Sequence, residues 1–281
     1  MILKDKVVSI NTIGGSSADN SQRCVGWEFF QKDGGGWKAY IDTVTRKEIS
    51  WGCRRFFLGC PGGFIGGRIF EMDQFIHARD GVKGIHPKMP YLVNDFISSW
   101  NALIKEQAKK KDPIEVICYI GFEMGDPDFD PTKTTLDHRL HRRWESLKWP
   151  LQAGMSLGLD YVTDFPEYSE QHRFAQMLAA SGLKVYVEGW PQRKFPCWAN
   201  FNVVCTQGNY NQRTWGNNDF ADGWGVKEED VKGEILILYD ENTPEGNMDF
   251  AKRHLSQGRS VAIWSGAFMD RGIKFSDIYN V

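Results

Sequence analysis

Residues 158–191, GLDYVTDFPEYSEQHRFAQMLAASGLKVYVEGWP, decide how the chain is read. Two short apolar runs, 159–163 and 183–187, flank a segment in which Phe174, Met177 and Leu178 fall at helical spacing. Ser181-Gly182 supplies the left-handed stop that a helix C-terminus favours. The pattern is strand, helix over 168–180, strand. A right-handed crossover makes the two strands parallel, so the acids that follow them, Asp164 and Glu188, leave the sheet at one edge.

Working outward, six more apolar runs read as strands: 7–12, 55–59, 115–122, 201–206, 234–239 and 260–264. Helical spacing is present at 37–48, 70–78, 91–110, 247–255 and from 136 to about 157, where Pro150 should kink or divide the helix. Continuous apolar strands interleaved with helices indicate a parallel sheet covered on both faces. Eight such units in 281 residues lead to the expectation of an α/β protein, a single (β/α)8 TIM barrel over residues 1–281 with long loops after strands 1, 2, 3 and 6. An open doubly wound sheet is the alternative. Segments 192–200 and 208–232 carry little helical periodicity.

The totals exclude several classes. A formal net charge of -2 gives no general attraction to nucleic acid or to an anionic membrane, so neither is expected as a partner. No apolar run approaches the roughly 20 residues needed to span a bilayer. Residues 1–6 do not read as a secretory leader, and the expected location is cytoplasmic or virion-associated. The six cysteines form no C-x-x-C pair, which argues for reduced thiols, with Cys118 and Cys205 buried in strands. Eleven tryptophans suit a core, an interface or the flat face of a sugar ring.

Active-site residues of a parallel barrel gather where its strands end. Those positions hold Asn11, Glu123, Asp164, Glu188, Gln207, Asp240 and Trp264, with acids after four of the eight strands. Two carboxylates facing one another can serve as acid and base, or as acid and nucleophile. Asp164 and Glu188 are the expected catalytic pair, assisted by Asp240 and Glu123. The stretch 208–218 is dense in amides and aromatics, which hydrogen-bond vicinal hydroxyls and stack on ring faces. Asn11, Trp190, Gln207, Asn209, Tyr210, Trp215 and Trp264 are the expected sugar contacts.

The order Asp164, Glu188, Asp240 after strands four, five and seven resembles the acid triad of alpha-amylase-type barrel glycosidases. That resemblance implies nucleophile, general acid and transition-state stabiliser in turn. It covers strand order and three residues. Val162 stands where that family has an arginine, and Tyr239 where it has a histidine.

Other signals are weaker. Gly59, Gly62, Gly63, Gly66 and Gly67 follow a strand without forming a phosphate loop. His138 and His141 lie among Arg139, Arg142 and Arg143, and Asp126, Asp128 and Asp130 are interrupted by Pro127 and Pro131. No metal or other cofactor is expected. The function expected is glycoside hydrolysis by paired carboxylates. The alternative is a non-catalytic carbohydrate-binding or structural barrel protein, such as a component of a virus or phage particle.

Overall fold

The structure, a computed structural model, describes residues 3–11, 29, 35–58, 89–121, 150–161, 177–178, 180–189, 202–207, 231–238, 246–264 and 274–279. Eight strands lie in one sheet: β1 (Val7–Asn11), β2 (Arg55–Leu58), β3 (Glu115–Gly121), β4 (Ser156–Tyr161), β5 (Val185–Gly189), β6 (Val203–Gln207), β7 (Glu234–Leu238) and β8 (Ser260–Trp264). Neighbours pair in parallel and in chain order, and β8 returns to pair with β1. The sheet curls until it closes on itself, which excludes the open doubly wound order.

Residues of alternate pleat are both buried. Val7, Phe56, Val116, Leu157 and Val261 lie on one side; Val8, Phe57, Ile117, Val203 and Leu236 lie on the other. A strand buried on both faces needs an unbroken apolar run rather than alternation, and that is what the sequence supplies.

The helices are fewer than expected. A 3-10 turn (Leu3–Lys6) precedes β1; α1 (Gly36–Tyr40) continues through a π turn (Ile41–Thr45) into α2 (Arg46–Ser50); then come α3 (Met89–Lys109), α4 (Gly246–Ser256) and α5 (Phe275–Tyr279). Among the described residues these fill only the β1–β2, β2–β3 and β7–β8 connections and the segment after β8. Among the described residues of the four connections from β3 to β7, the helical ones are 150–152, 177, 178 and 180. The expectation of a (β/α)8 TIM barrel is therefore corrected to an α/β protein with a curled, all-parallel sheet and five described helices. A parallel strand fixes the direction of its connection, not a helix within it, and segments 192–200 and 208–232 carry little helical periodicity. The long loops expected after strands 1, 2, 3 and 6, and the helix at 70–78, lie outside the described residues.

Helices hand over to strands by a recurring turn. The bonds Cys53 N–H to Glu48 O (3.0 Å), Asp112 N–H to Gln107 O (3.1 Å), Met155 N–H to Pro150 O (3.0 Å) and Arg259 N–H to His254 O (3.1 Å) each close a helix just before β2, β3, β4 or β8. Such a 6→1 bond needs a left-handed residue inside it. Gly52, Gly154 and Gly258 take that role at φ 101°, 84° and 83°, and Lys111 takes it at φ 56° after α3.

One consequence concerns β4. Ala153-Gly154 ends the helix early, so the strand begins at Ser156 and ends at Tyr161, upstream of the segment 159–163 read from sequence.

The best-packed helical contact joins α1 to α3. Trp37 lies 5.0 Å from Phe96 and 6.0 Å from Trp100, ring centre to ring centre, and Tyr40 lies 6.4 Å from Trp100. All four rings are buried. These two tryptophans serve the core and no ligand. Trp27, Trp190, Trp198, Trp215 and Trp224 lie outside the described residues.

Candidate functional site

Because every strand runs the same way, the strand ends share one rim. Asn11 is the last residue of β1, Gln207 of β6 and Trp264 of β8, and their Cα partners are Leu58, Leu238 and Ile10. Glu188 is the penultimate residue of β5 and pairs with Asp160 of β4 on one side and Cys205 of β6 on the other. Asp160 in turn pairs with Gly121, the last residue of β3. Adjacent strands run about 4.8 Å apart, so the backbones of Asp160 and Glu188 are immediate neighbours.

In the sequence Asp160 reads as an ordinary member of an apolar run. The signal that could have found it is the helix stop at Ala153-Gly154, which moves β4 upstream and brings Asp160 near the strand's end. Asp164 falls three residues past Tyr161, where β4 ends. Glu123, Asp164, Trp190, Asn209, Tyr210, Trp215 and Asp240 lie outside the described residues.

The opposite pole of the sheet is filled by charge. Arg55, at the start of β2, is 6% exposed and reaches into the interior. Its Nη1 donates to Glu234 Oε1 of β7 at 2.5 Å and to the Asp5 carbonyl at 2.9 Å. Nη2 donates to Glu234 Oε2 at 3.1 Å and to the Tyr186 hydroxyl at 2.5 Å, while Nε donates to Glu115 Oε2 at 3.2 Å. Glu115 also accepts from Ser156 Oγ (2.8 Å) and Lys184 Nζ (2.9 Å), and Glu234 accepts from Ser260 Oγ. Three strands, β3, β5 and β7, thus meet on the guanidinium of a fourth, β2.

Burial alone would raise the Glu115 carboxyl, but the charges of Arg55 and Lys184 outweigh it and hold Glu115 below the usual carboxylate range. Burial works against the charge on Arg55 as well; Tyr186, Glu234 and Glu115 more than restore it. Burial pushes the Tyr186 phenol up, so its oxygen stays a neutral acceptor for Arg55. Every charge at this pole is answered by a partner. That makes it structural in character, in keeping with the division of labour between the two ends of a parallel barrel-like sheet.

A second buried polar contact lies outside the sheet, where Ser9 Oγ of β1 donates to Glu48 Oε1 of α2 at 2.8 Å. Cys53 is buried beside it, and burial pushes that thiol and the Cys118 thiol well up, so neither is set up as a nucleophile. Cys53, Cys118 and Cys205 are buried, and none of the three is in a disulfide.

Among the described residues no three His, Cys, Asp or Glu side chains are grouped to hold a metal ion, and no helix is long and apolar enough to cross a membrane. The glycine-rich run 59–67, His138, His141, Asp126, Asp128 and Asp130 lie outside the described residues. No protein-family model matches the chain, and no curated protein matches it in sequence.

Proposed function

We propose that the chain is a glycan hydrolase working through paired carboxylates at the C-terminal rim of the sheet, with Asp160 and Glu188 as the pair. The observation that carries this reading is their direct register in adjacent parallel strands. A backbone spacing of about 4.8 Å is of the order a retaining pair needs, about 5–5.5 Å between carboxyls, and short of the about 6.5–9.5 Å of an inverting pair. In a retaining pair one carboxyl keeps its proton and serves as the acid while the other attacks. Gln207 and Trp264 end their strands on the same rim and the same register face as Glu188, and an amide and an indole suit sugar hydroxyls and a ring face, whereas Asn11 ends β1 on the opposite register face. Asp164, Asp240 and Glu123 follow the rim within a few residues and supply further acids for orienting substrate.

The test is turnover on a panel of glycans and aryl glycosides, with Glu188→Gln and Asp160→Asn beside the unmodified protein. The expected result is activity that falls by about a thousandfold in each variant, in line with loss of an acid–base or nucleophilic group. Turnover that survives both substitutions sinks the paired-carboxylate reading. Glycan binding without turnover on any substrate would replace it with a carbohydrate-binding role.

A further inference from the structure

Two glycines border Asp160 where β3 and β4 run side by side. Tyr119 pairs with Gly158, and Gly121 pairs with Asp160. Those four positions form a rectangle on one face of the sheet. Tyr119 and Asp160 hold one pair of opposite corners, and glycines hold the other pair. The face is the interior one, because Glu115, four residues before Tyr119 on β3, bonds Arg55 inside the closed sheet. Glycine is a poor strand residue, and inside a strand it often marks the close approach of a ligand or of another backbone.

With no side chain at Gly121 or Gly158, Tyr119 and Asp160 are all that this rectangle contributes to the interior face. Strands about 4.8 Å apart, rising about 3.3 Å per residue, put the diagonal at about 8 Å between backbones, a separation that aromatic side chains bridge. On its other side Asp160 pairs with Glu188 of β5, and Glu188 pairs in turn with Cys205, a buried thiol of β6. A second tyrosine on this face, Tyr186, is the other register partner of Gly158, but its hydroxyl is held by Arg55 at the opposite pole, at 2.5 Å. Tyr119 is left as the phenol placed beside the rim acids.

We propose that Tyr119 is a positioning residue of the rim site: its hydroxyl donates a hydrogen bond to Asp160 and so assigns the roles, Asp160 the nucleophile and Glu188 the acid. The assignment rests on the paired-carboxylate reading of the rim. A phenol keeps its proton up to about pH 10, so at working pH it can donate to a carboxylate. A hydrogen bond to the charged form of a group favours that form, which keeps Asp160 ionised and leaves the proton of the pair on Glu188. In the first step Asp160 bonds to the anomeric carbon as the glycosidic bond breaks, and Glu188 protonates the departing oxygen. In the second, water gives a proton to Glu188 and its oxygen displaces Asp160 from the sugar.

Tyr119→Phe removes the hydroxyl and keeps the ring. The first readout needs no substrate: the carboxyl carbon resonances of Asp160 and Glu188, followed against pH by NMR. In the unmodified chain Asp160 should titrate below the free aspartate value of about 3.9, and Glu188 above the free glutamate value of about 4.3. In Tyr119→Phe the Asp160 midpoint should rise by about one unit, and the acid limb of kcat/KM should rise with it while KM holds. An Asp160 midpoint that stays put, or a rise at Glu188 in its place, overturns the role of Tyr119. The reverse order of the two carboxyls in the unmodified chain overturns it as well, and that order decides the matter if the variant does not fold. A shifted Asp160 midpoint with no turnover on any glycoside upholds the bond from Tyr119 to Asp160 and sinks hydrolysis instead.

Discussion

Arg55 and Glu234 are 179 residues apart in sequence, yet they form a two-pronged ion pair inside the closed sheet, at 2.5 Å and 3.1 Å. The pair ties β2 to β7 across the intervening β1 and β8, in addition to the backbone ladders. Removing one member of a buried pair leaves the other charge stranded, which typically costs about 3–5 kcal/mol. Arg55→Met should therefore lose stability in that range in denaturant titration at neutral pH. Tyr186→Phe removes one acceptor but leaves the carboxylates paired, and should cost less, about 1.5–3 kcal/mol. A near-neutral Arg55→Met would mean that apolar packing, not charge, closes this pole.

Asp95 of α3 caps a helix that is not its own. The N-terminus of α1 has no side-chain cap from Gly35, and Trp37 N–H instead donates to Asp95 Oδ2 at 2.7 Å. Ser99 Oγ holds the other carboxylate oxygen at 2.9 Å. Gly36 lies between them at φ 65°, and a Cβ there would come within 2.6 Å of Asp95 Oδ2. Gly36→Ala should thus suffer twice, from the left-handed backbone and from the displaced cap, losing about 2 kcal/mol. Asp95→Ala loses the cap alone, about 1 kcal/mol. Thermal or chemical unfolding ranks the two; the reverse order would show that the glycine conformation relaxes without cost.

The contrast between what could and could not be read from the chain is physical. All eight strands were legible because a strand buried on both faces must be written as an unbroken apolar run, and 7–12, 115–122 and 260–264 are such runs. The α1–α2 helix and α3 were legible from their periodicity, although the π turn at Ile41–Thr45 leaves no mark in it. The helical half is less legible, because a parallel strand fixes the direction of its connection and not a helix within it. Arg55, Glu115 and Glu234 were invisible as a group. Each opens an apolar strand, where a charge looks like the edge of a loop, and only closure of the sheet brings them together. Asp160 was hidden for the opposite reason: an acid inside a strand looks like a solvent-facing interruption until register puts it beside Glu188.

Asp160 and Asp164 compete as the carboxylate partner of Glu188. The resemblance to barrel glycosidases favours Asp164 as the partner of Glu188; the register favours Asp160. Asp160→Asn and Asp164→Asn should be compared on the best glycoside substrate, with kcat and KM resolved. If Asp160 is the partner, its variant loses kcat by about a thousandfold, while Asp164→Asn acts mainly on KM, as expected for a group beyond the rim that orients substrate. In the truncated variants Asp160→Ala and Asp164→Ala, small anions such as azide or formate should partly rescue whichever lacks the nucleophile, because they enter the space of the lost carboxylate and attack in its place. Rescue of Asp164→Ala with Asp160→Asn fully active would move the pair into the segment after β4 and leave Asp160 a structural acid.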